Sequence, residues 1–208
     1  MIRLIRTEAD LAEGTAYLAR ICPVWAKALP LIQPLPLRRR EAGFATMAEA
    51  IIGQQISVAA AASIRARLEA AGLFSEAAIR AATPDDLRAA GLSRPKARYL
   101  AAIAQAGLDW DGLAALPDDE AIDRLTALPG VGVWTAEIYL KFALGRADVF
   151  AAGDLALQEG ARLLYGLPER PRPAALRVLA EPWRPWRAVA ARGLWAYYRL
   201  AKGREGVT

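Results

Sequence analysis

Leu128-Pro129-Gly130-Val131-Gly132 separates two segments whose apolar residues recur three and four positions apart. So short a turn between helices permits little but a tight helical hairpin. Its glycines, lacking a Cβ, let the chain reverse and aim amides outward where the second helix begins. Free N–H groups and the helix dipole there favour an anion, so Gly130, Gly132, Val133 and Thr135 are candidate phosphate-binding residues. Such a clamp would hold a nucleic-acid backbone without reading its sequence. An ordinary helical hairpin with no ligand is the alternative.

Outward from the hairpin the pattern stays helical. Alanine and leucine dominate and alternating β-branched clusters are scarce. Helices are predicted near 7–20, 44–55, 57–71, 75–81, 84–90, 95–106, 118–127, 133–144, 154–165, 173–180 and 185–202. Thr7 with Asp10 and Thr83 with Asp86 fit the capping box, and Ser93 with Pro95 opens another helix. Leu29 to Arg40, with Pro30, Pro34 and Pro36, reads as an extended connector, and Pro168 to Pro173 as a second break. The fold class is therefore all-α.

Composition narrows the chemistry. The 208 residues contain no histidine and one cysteine, Cys22. That excludes a Cys/His zinc site, a four-cysteine cluster and His-dependent nucleophiles, and leaves carboxylate, lysine or backbone chemistry. The apolar runs are shorter than the roughly 18 to 20 residues needed to span a bilayer, and no signal peptide is read at the start. A soluble, cytoplasmic protein is expected. The net charge is +5, and from Arg162 onward ten Arg and Lys face three Glu, a balance that suits a polyanion. A bias toward arginine in the genome would give the same count.

After the hairpin come Trp134, Thr135 and Ala136, then Asp148-Val149-Phe150-Ala151-Ala152-Gly153-Asp154-Leu155. Ile51-Ile52-Gly53-Gln54 precedes Ser57-Val58, and Trp183-Arg184-Pro185-Trp186-Arg187 leads to Trp195. In this order the motifs resemble the helix-hairpin-helix (HhH-GPD) DNA glycosylases over roughly residues 40–200, and within them the 3-methyladenine DNA glycosylase II branch. The resemblance implies a two-lobed helical bundle with its active-site cleft between the lobes. It implies a single core over 1–208: lobe one 1–40 plus 148–208, and lobe two 41–147 with the helix-hairpin-helix at 118–144. Longer members add an N-terminal β-rich domain; the residues ahead of the first motif are too few to hold it, so the compact form is expected.

The same resemblance assigns roles. Asp154 reads locally as a helix N-cap and by resemblance as the catalytic carboxylate, with Asp148 left to a loop or capping role. Gln55, with Gln54 beside it, matches the residue that wedges into the gap left by an extruded base, where some relatives carry leucine. Trp134 and Trp195, ordinarily core residues, match positions lining the base pocket, and Tyr139, Tyr197 and Tyr198 are candidates to join them. An indole face attracts cations, and alkylation at N3 or N7 makes a purine cationic. Backbone carbonyls of Thr126, Leu128 and Val131 match the donors of a monovalent cation in relatives; no other cofactor is implied. Relatives that also cut the strand carry a lysine where this chain has Trp134, so base release without lyase activity is expected, by a monomer acting on damaged duplex DNA. The alternatives are a glycosylase for deaminated or mismatched bases, and a non-catalytic helix-hairpin-helix module.

Overall fold

The computed structural model describes residues 2–203. Among them helices joined by loops are the only regular structure, apart from one isolated bridge between Leu4 and Arg146. The helices are α1 (Glu8–Ile21), α2 (Pro23–Ile32), α3 (Phe44–Gly53), α4 (Val58–Ala70), α5 (Glu76–Ala81), α6 (Pro84–Ala89), α7 (Arg94–Gln105), α8 (Asp118–Thr126), α9 (Val133–Phe142), α10 (Leu155–Tyr165), α11 (Pro173–Ala180) and α12 (Arg187–Lys202). Both capping boxes form: Thr7 and Asp10 at α1, Thr83 and Asp86 at α6. Ser93 caps α7 by accepting from the Lys96 amide.

One helix departs from the sequence expectation. No helix is predicted between 20 and 44, yet α2 spans Pro23–Ile32, and its last residues, 29–32, fall in the stretch read as extended because of its prolines. A proline inside a helix costs about 3 kcal/mol through its missing donor and ring clash. Against that, Trp25, Ala28, Leu29 and Ile32 fall on one buried face, and each large side chain buried returns about 1.5 to 3 kcal/mol. Burial wins, helped by Pro23 in the first turn, where proline fits. The extended connector therefore starts at Gln33.

The chain forms two compact units, Met1–Arg39 with Leu140–Val207, and Arg40–Tyr139. The division lies within α9, earlier than the boundary at 147 expected from sequence. Segment 140–147 joins the first unit because the N-terminal strap holds it: Ile5 N donates to Gly145 O (2.6 Å) and Ala147 N to Arg3 O (3.1 Å). Ala188 N, at the start of α12, donates to Ala147 O (2.9 Å).

In the first unit α12 packs on α10, α2 and α1. Gly160 lets α10 approach closely, since a Cβ there would stand 2.6 Å from the Leu194 carbonyl oxygen. Trp183 centres an aromatic cluster with Trp25, Phe150 and Tyr165. In the second unit α7 is the hub, contacted by α3, α5 and α6. Leu100, Ile103 and Ala104 of α7 are fully buried, as are Ile51 and Ile52 of α3, Ile79 of α5 and Leu87 of α6.

Candidate nucleic-acid interface and active site

The hairpin turn lies in the second unit, and its two glycines do different work. Gly130 has φ +80°, and a Cβ on it would run into the Tyr99 ring. Gly130 is therefore demanded by the fold itself. Gly132 has no such need: a Cβ there would meet open space. A glycine that its own chain does not require leaves room for something else to approach the backbone. It stands just before α9, whose exposed first residues, Val133 (51% exposed) and Trp134 (44%), flank the helix start. Thr135 is different again. It is buried, and its hydroxyl faces Gln54 Nε2 at 3.5 Å, so its side chain belongs to the scaffold and only its first-turn amide remains a phosphate candidate.

The α3–α4 loop carries the two glutamines. Gln55 is exposed and left-handed, with φ +59°. Only glycine, and at times Asn or Asp, takes that conformation freely; for other residues it costs about 1 to 2 kcal/mol. Gln54 turns inward, its Nε2 donating to Gly130 O at 3.1 Å. The pair thus separates into a protruding residue and a tether, and Gln54 is corrected from wedge to scaffold.

Asp154 lies in the first unit, half-buried at the N-cap of α10. Its Oδ1 accepts from Ala156 N (2.8 Å) and Leu157 N (3.1 Å). The turn ahead of it is fixed by Asp154 N donating to Ala151 O (3.0 Å), and by Gln158 Nε2 donating to Ala152 O (2.9 Å). Gln158 is 4% exposed and was not anticipated, although a glutamine on the apolar face of α10, beside Leu157 and Ala161, is a legible signal. Asp148 is an ion-pair hub: its carboxylate takes Arg184 Nε (2.9 Å) and Arg187 Nε and Nη2 (2.9 and 3.0 Å).

The aromatic candidates divide. Tyr139 is 2% exposed in the core of the second unit; its hydroxyl accepts from Gly43 N (2.7 Å) and its ring packs on Trp110. Burial pushes its pKa up to about 12. A side chain so enclosed offers no face to a base, and Tyr139 leaves the pocket set. Trp195 stacks on Phe142 with ring centroids 5.8 Å apart, and the Lys141 ammonium lies 4.0 Å from the centre of its ring. The chain's own cation already engages that indole, which weakens its pull on a second one. Trp134 is the candidate with an exposed surface.

The C-terminal basic excess is also partly spent. Arg162 and Lys202 pair with Glu159, and Arg184 and Arg187 with Asp148 and Glu181. Arg192 is buried, donating to Ala188 O and Leu37 O, and burial beside Arg38 and Arg39 lowers its pKa to about 10. Arg204 and Glu205 lie outside the described residues.

A glycine turn that presents a helix start, in a fold made only of helices, marks the helix-hairpin-helix class of DNA-handling proteins. The description "HhH-GPD superfamily base excision DNA repair protein" belongs to a family model that matches residues 48–185. The chain is a member of that superfamily. It is 30% identical over 204 residues to DNA-3-methyladenine glycosylase 1 of Schizosaccharomyces pombe, covering 92% of this chain and 90% of the relative. Among solved structures it resembles the S. pombe 3-methyladenine DNA glycosylase in complex with abasic DNA (TM-score 0.76, 30% identity, 91% of this chain and 97% of that one). It also resembles a DNA-3-methyladenine glycosidase of Bacillus halodurans (TM-score 0.81, 28% identity, 97% and 94%). Other curated relatives are longer, and the chain spans 34% of the length of one, a Mycobacterium tuberculosis protein, and 54% of another, DNA-3-methyladenine glycosylase 2 of Escherichia coli.

Proposed function

We propose that the protein is a monofunctional DNA glycosylase that removes alkylated purines, of the 3-methyladenine and 7-methylguanine type, from duplex DNA. The observation that carries this reading is Asp154. It is a half-buried carboxylate held rigid by the helix it caps, in a chain similar along nearly its whole length to a 3-methyladenine glycosylase. Cutting the N-glycosidic bond builds positive charge on the deoxyribose as the base departs with the bonding electrons. A fixed carboxylate stabilises that charge, and water adds at C1′ to leave an abasic site and the free base.

The second unit supplies the grip on DNA. Gly130, Gly132, Val133 and Thr135 offer backbone amides to a phosphate, and Gln55 enters the gap left by the extruded base, offsetting part of a flipping cost of about a few kcal/mol. Trp134 is the leading aromatic surface for the base, with Trp195 second. Trp134 in place of the strand-cutting lysine supports hydrolysis alone. Two of the four lysines support it too: Lys96 is engaged with carbonyls and Lys141 is buried.

The hairpin also fits a monovalent cation. Thr126 closes α8, where a helix leaves carbonyls without intrahelical partners, and Leu128 O accepts only the turn amide of Val131 (3.1 Å) among the backbone bonds there. Neutral, hard oxygen donors such as the carbonyls of Thr126, Leu128 and Val131 suit such an ion, whose charge would favour a neighbouring phosphate. No helix among the described residues is long and apolar enough to cross a membrane. The reading is of a monomer working on DNA in the cytoplasm, at the nucleoid.

Single-turnover release of methylated purines from duplex DNA tests the proposal. Free base with an intact, alkali-sensitive strand is expected. A covalent complex trapped by borohydride, lost on changing one lysine, would overturn the monofunctional part, and DNA binding without any base release would overturn the enzyme.

A further inference from the structure

The loop that bears Gln55 and the hairpin turn are gripped by the same face of one helix. Lys96, in the first turn of α7, donates from Nζ to Ile52 O (2.7 Å) and Gln54 O (2.6 Å). These are carbonyls at the C-terminal end of α3, where a helix leaves acceptors unfilled and its dipole is negative. One turn along α7, Tyr99 lies against Gly130 of the hairpin. Residues three apart share a helix face, so α7 presents one grip to each loop. The Gln54 side chain closes the triangle through Gly130 O and Thr135 Oγ1. Gln55, next in the chain after the clamped Gln54 carbonyl, is the exposed residue at φ +59°. A strained conformation persists only where surrounding structure over-determines it, and the two ammonium contacts sit immediately ahead of it.

We propose that Lys96 is a positioning residue that holds Gln55 in its protruding left-handed conformation, and that Gln54 joins this loop to the hairpin, so that both ride on α7 as one piece. The ammonium is half-buried, and that burial lowers its pKa from the usual lysine value without bringing a carboxylate to it. Among the described residues its hydrogen bonds at the loop go to carbonyl oxygens. The functional half of this inference rests on the glycosylase reading; the structural half does not.

The test uses Lys96→Met, which keeps the stem and removes the ammonium, and Lys96→Arg, which restores charge and donors. Two measurements are made on the full chain. The first is amide hydrogen exchange at residues 53–57, without DNA. The second is single-turnover release of 7-methylguanine from a fully paired duplex, compared with the same lesion opposite a tetrahydrofuran site, where no partner base must be displaced.

With Lys96→Met, exchange at 53–57 rises about tenfold or more, the effect of losing hydrogen bonds from a charged donor. Release from the paired duplex falls by a similar factor, while release opposite tetrahydrofuran changes less than about twofold, and Lys96→Arg recovers most of both. Unchanged exchange at 53–57, or equal losses on the two substrates, would overturn the positioning role. Gln54→Leu is expected to raise exchange at the hairpin, 130–133, as well as at 53–57; a hairpin that stays protected would overturn the coupling. If the unsubstituted protein released no base from either substrate, the glycosylase reading would fail, and exchange would still decide whether Lys96 holds the loop.

Discussion

Asp154 and Gln55 each lie in a short turn just after a glycine and just ahead of a helix, yet they are held by different means. Asp154 is held by near neighbours: it caps amides two and three residues ahead, and Gln158, one turn along the same helix, ties down the turn behind it. Gln55 is held from afar, by Lys96 on another helix and through Gln54 by the hairpin. The carboxylate proposed for the chemistry therefore depends on little beyond its own segment, whereas the proposed wedge depends on the packing of the second unit. Damage to that core is expected to impair flipping before it touches chemistry.

The largest effect that would test this contrast is Asp154→Asn. Base release is expected to fall by about 10²- to 10³-fold, the scale of losing one electrostatic group aimed at transition-state charge. The melting temperature should change little, because asparagine caps a helix about as well as aspartate. Activity within tenfold of the parent would remove Asp154 from the chemistry and leave it a cap.

Next come the hairpin glycines. Gly130→Ala forces a side chain into a left-handed site against Tyr99, at about 1 to 2 kcal/mol before any clash, or several degrees of melting temperature. Gly132→Ala is expected to stay within about 0.5 kcal/mol of the parent in stability while binding duplex DNA more weakly. Equal thermal losses in the two variants would show that Gly132 also serves the fold.

A smaller effect is expected of Gln55→Gly, which removes the wedge while giving the loop a residue suited to φ +59°. Stability should move by less than about 1 kcal/mol. Extrusion of a fluorescent base analogue should weaken, with release from a lesion lacking its partner base preserved. Undiminished extrusion would return the wedge to another residue of the loop.

The least of these concerns alkaline pH, where each unit has one tyrosine whose pKa is raised by desolvation: Tyr139, buried, in the second and Tyr165, half-buried, in the first. Below pH 10 the Tyr139 hydroxyl is protonated in both states and its contribution is fully present. Between 10 and about 12 the unfolded chain gives up its proton first, so stability falls as pH rises through that window. Tyr139→Phe should cost about 1 kcal/mol at neutral pH through the lost Gly43 bond, and should flatten part of the alkaline fall. A melting curve against pH with the parent's slope would show that Tyr139 is not its source.

Much of this protein was legible before folding because its signals are local. Capping boxes lie three residues apart, apolar spacing sets a helix within a dozen residues, and a Gly/Pro turn of a few residues makes a hairpin. Asp154 as a cap needed only the helix that follows it. The helix through Pro30 was misread because the rule against proline is local, while the burial of Trp25 that outweighs it is tertiary. Tyr139 read equally well as pocket or core, since an aromatic on a helix carries no mark of which face meets solvent. Lys96 was indistinguishable from any surface lysine. Its partners, Ile52 and Gln54, are more than forty residues away and offer only backbone carbonyls. The sequence by itself determined all the helices but α2, the hairpin, and Asp154 as a helix cap, because each is written in spacings of three or four residues. Only the tertiary structure decided which glycine the fold requires, which glutamine protrudes and which lysine holds it, because those depend on contacts between distant segments that leave no periodic trace in the chain.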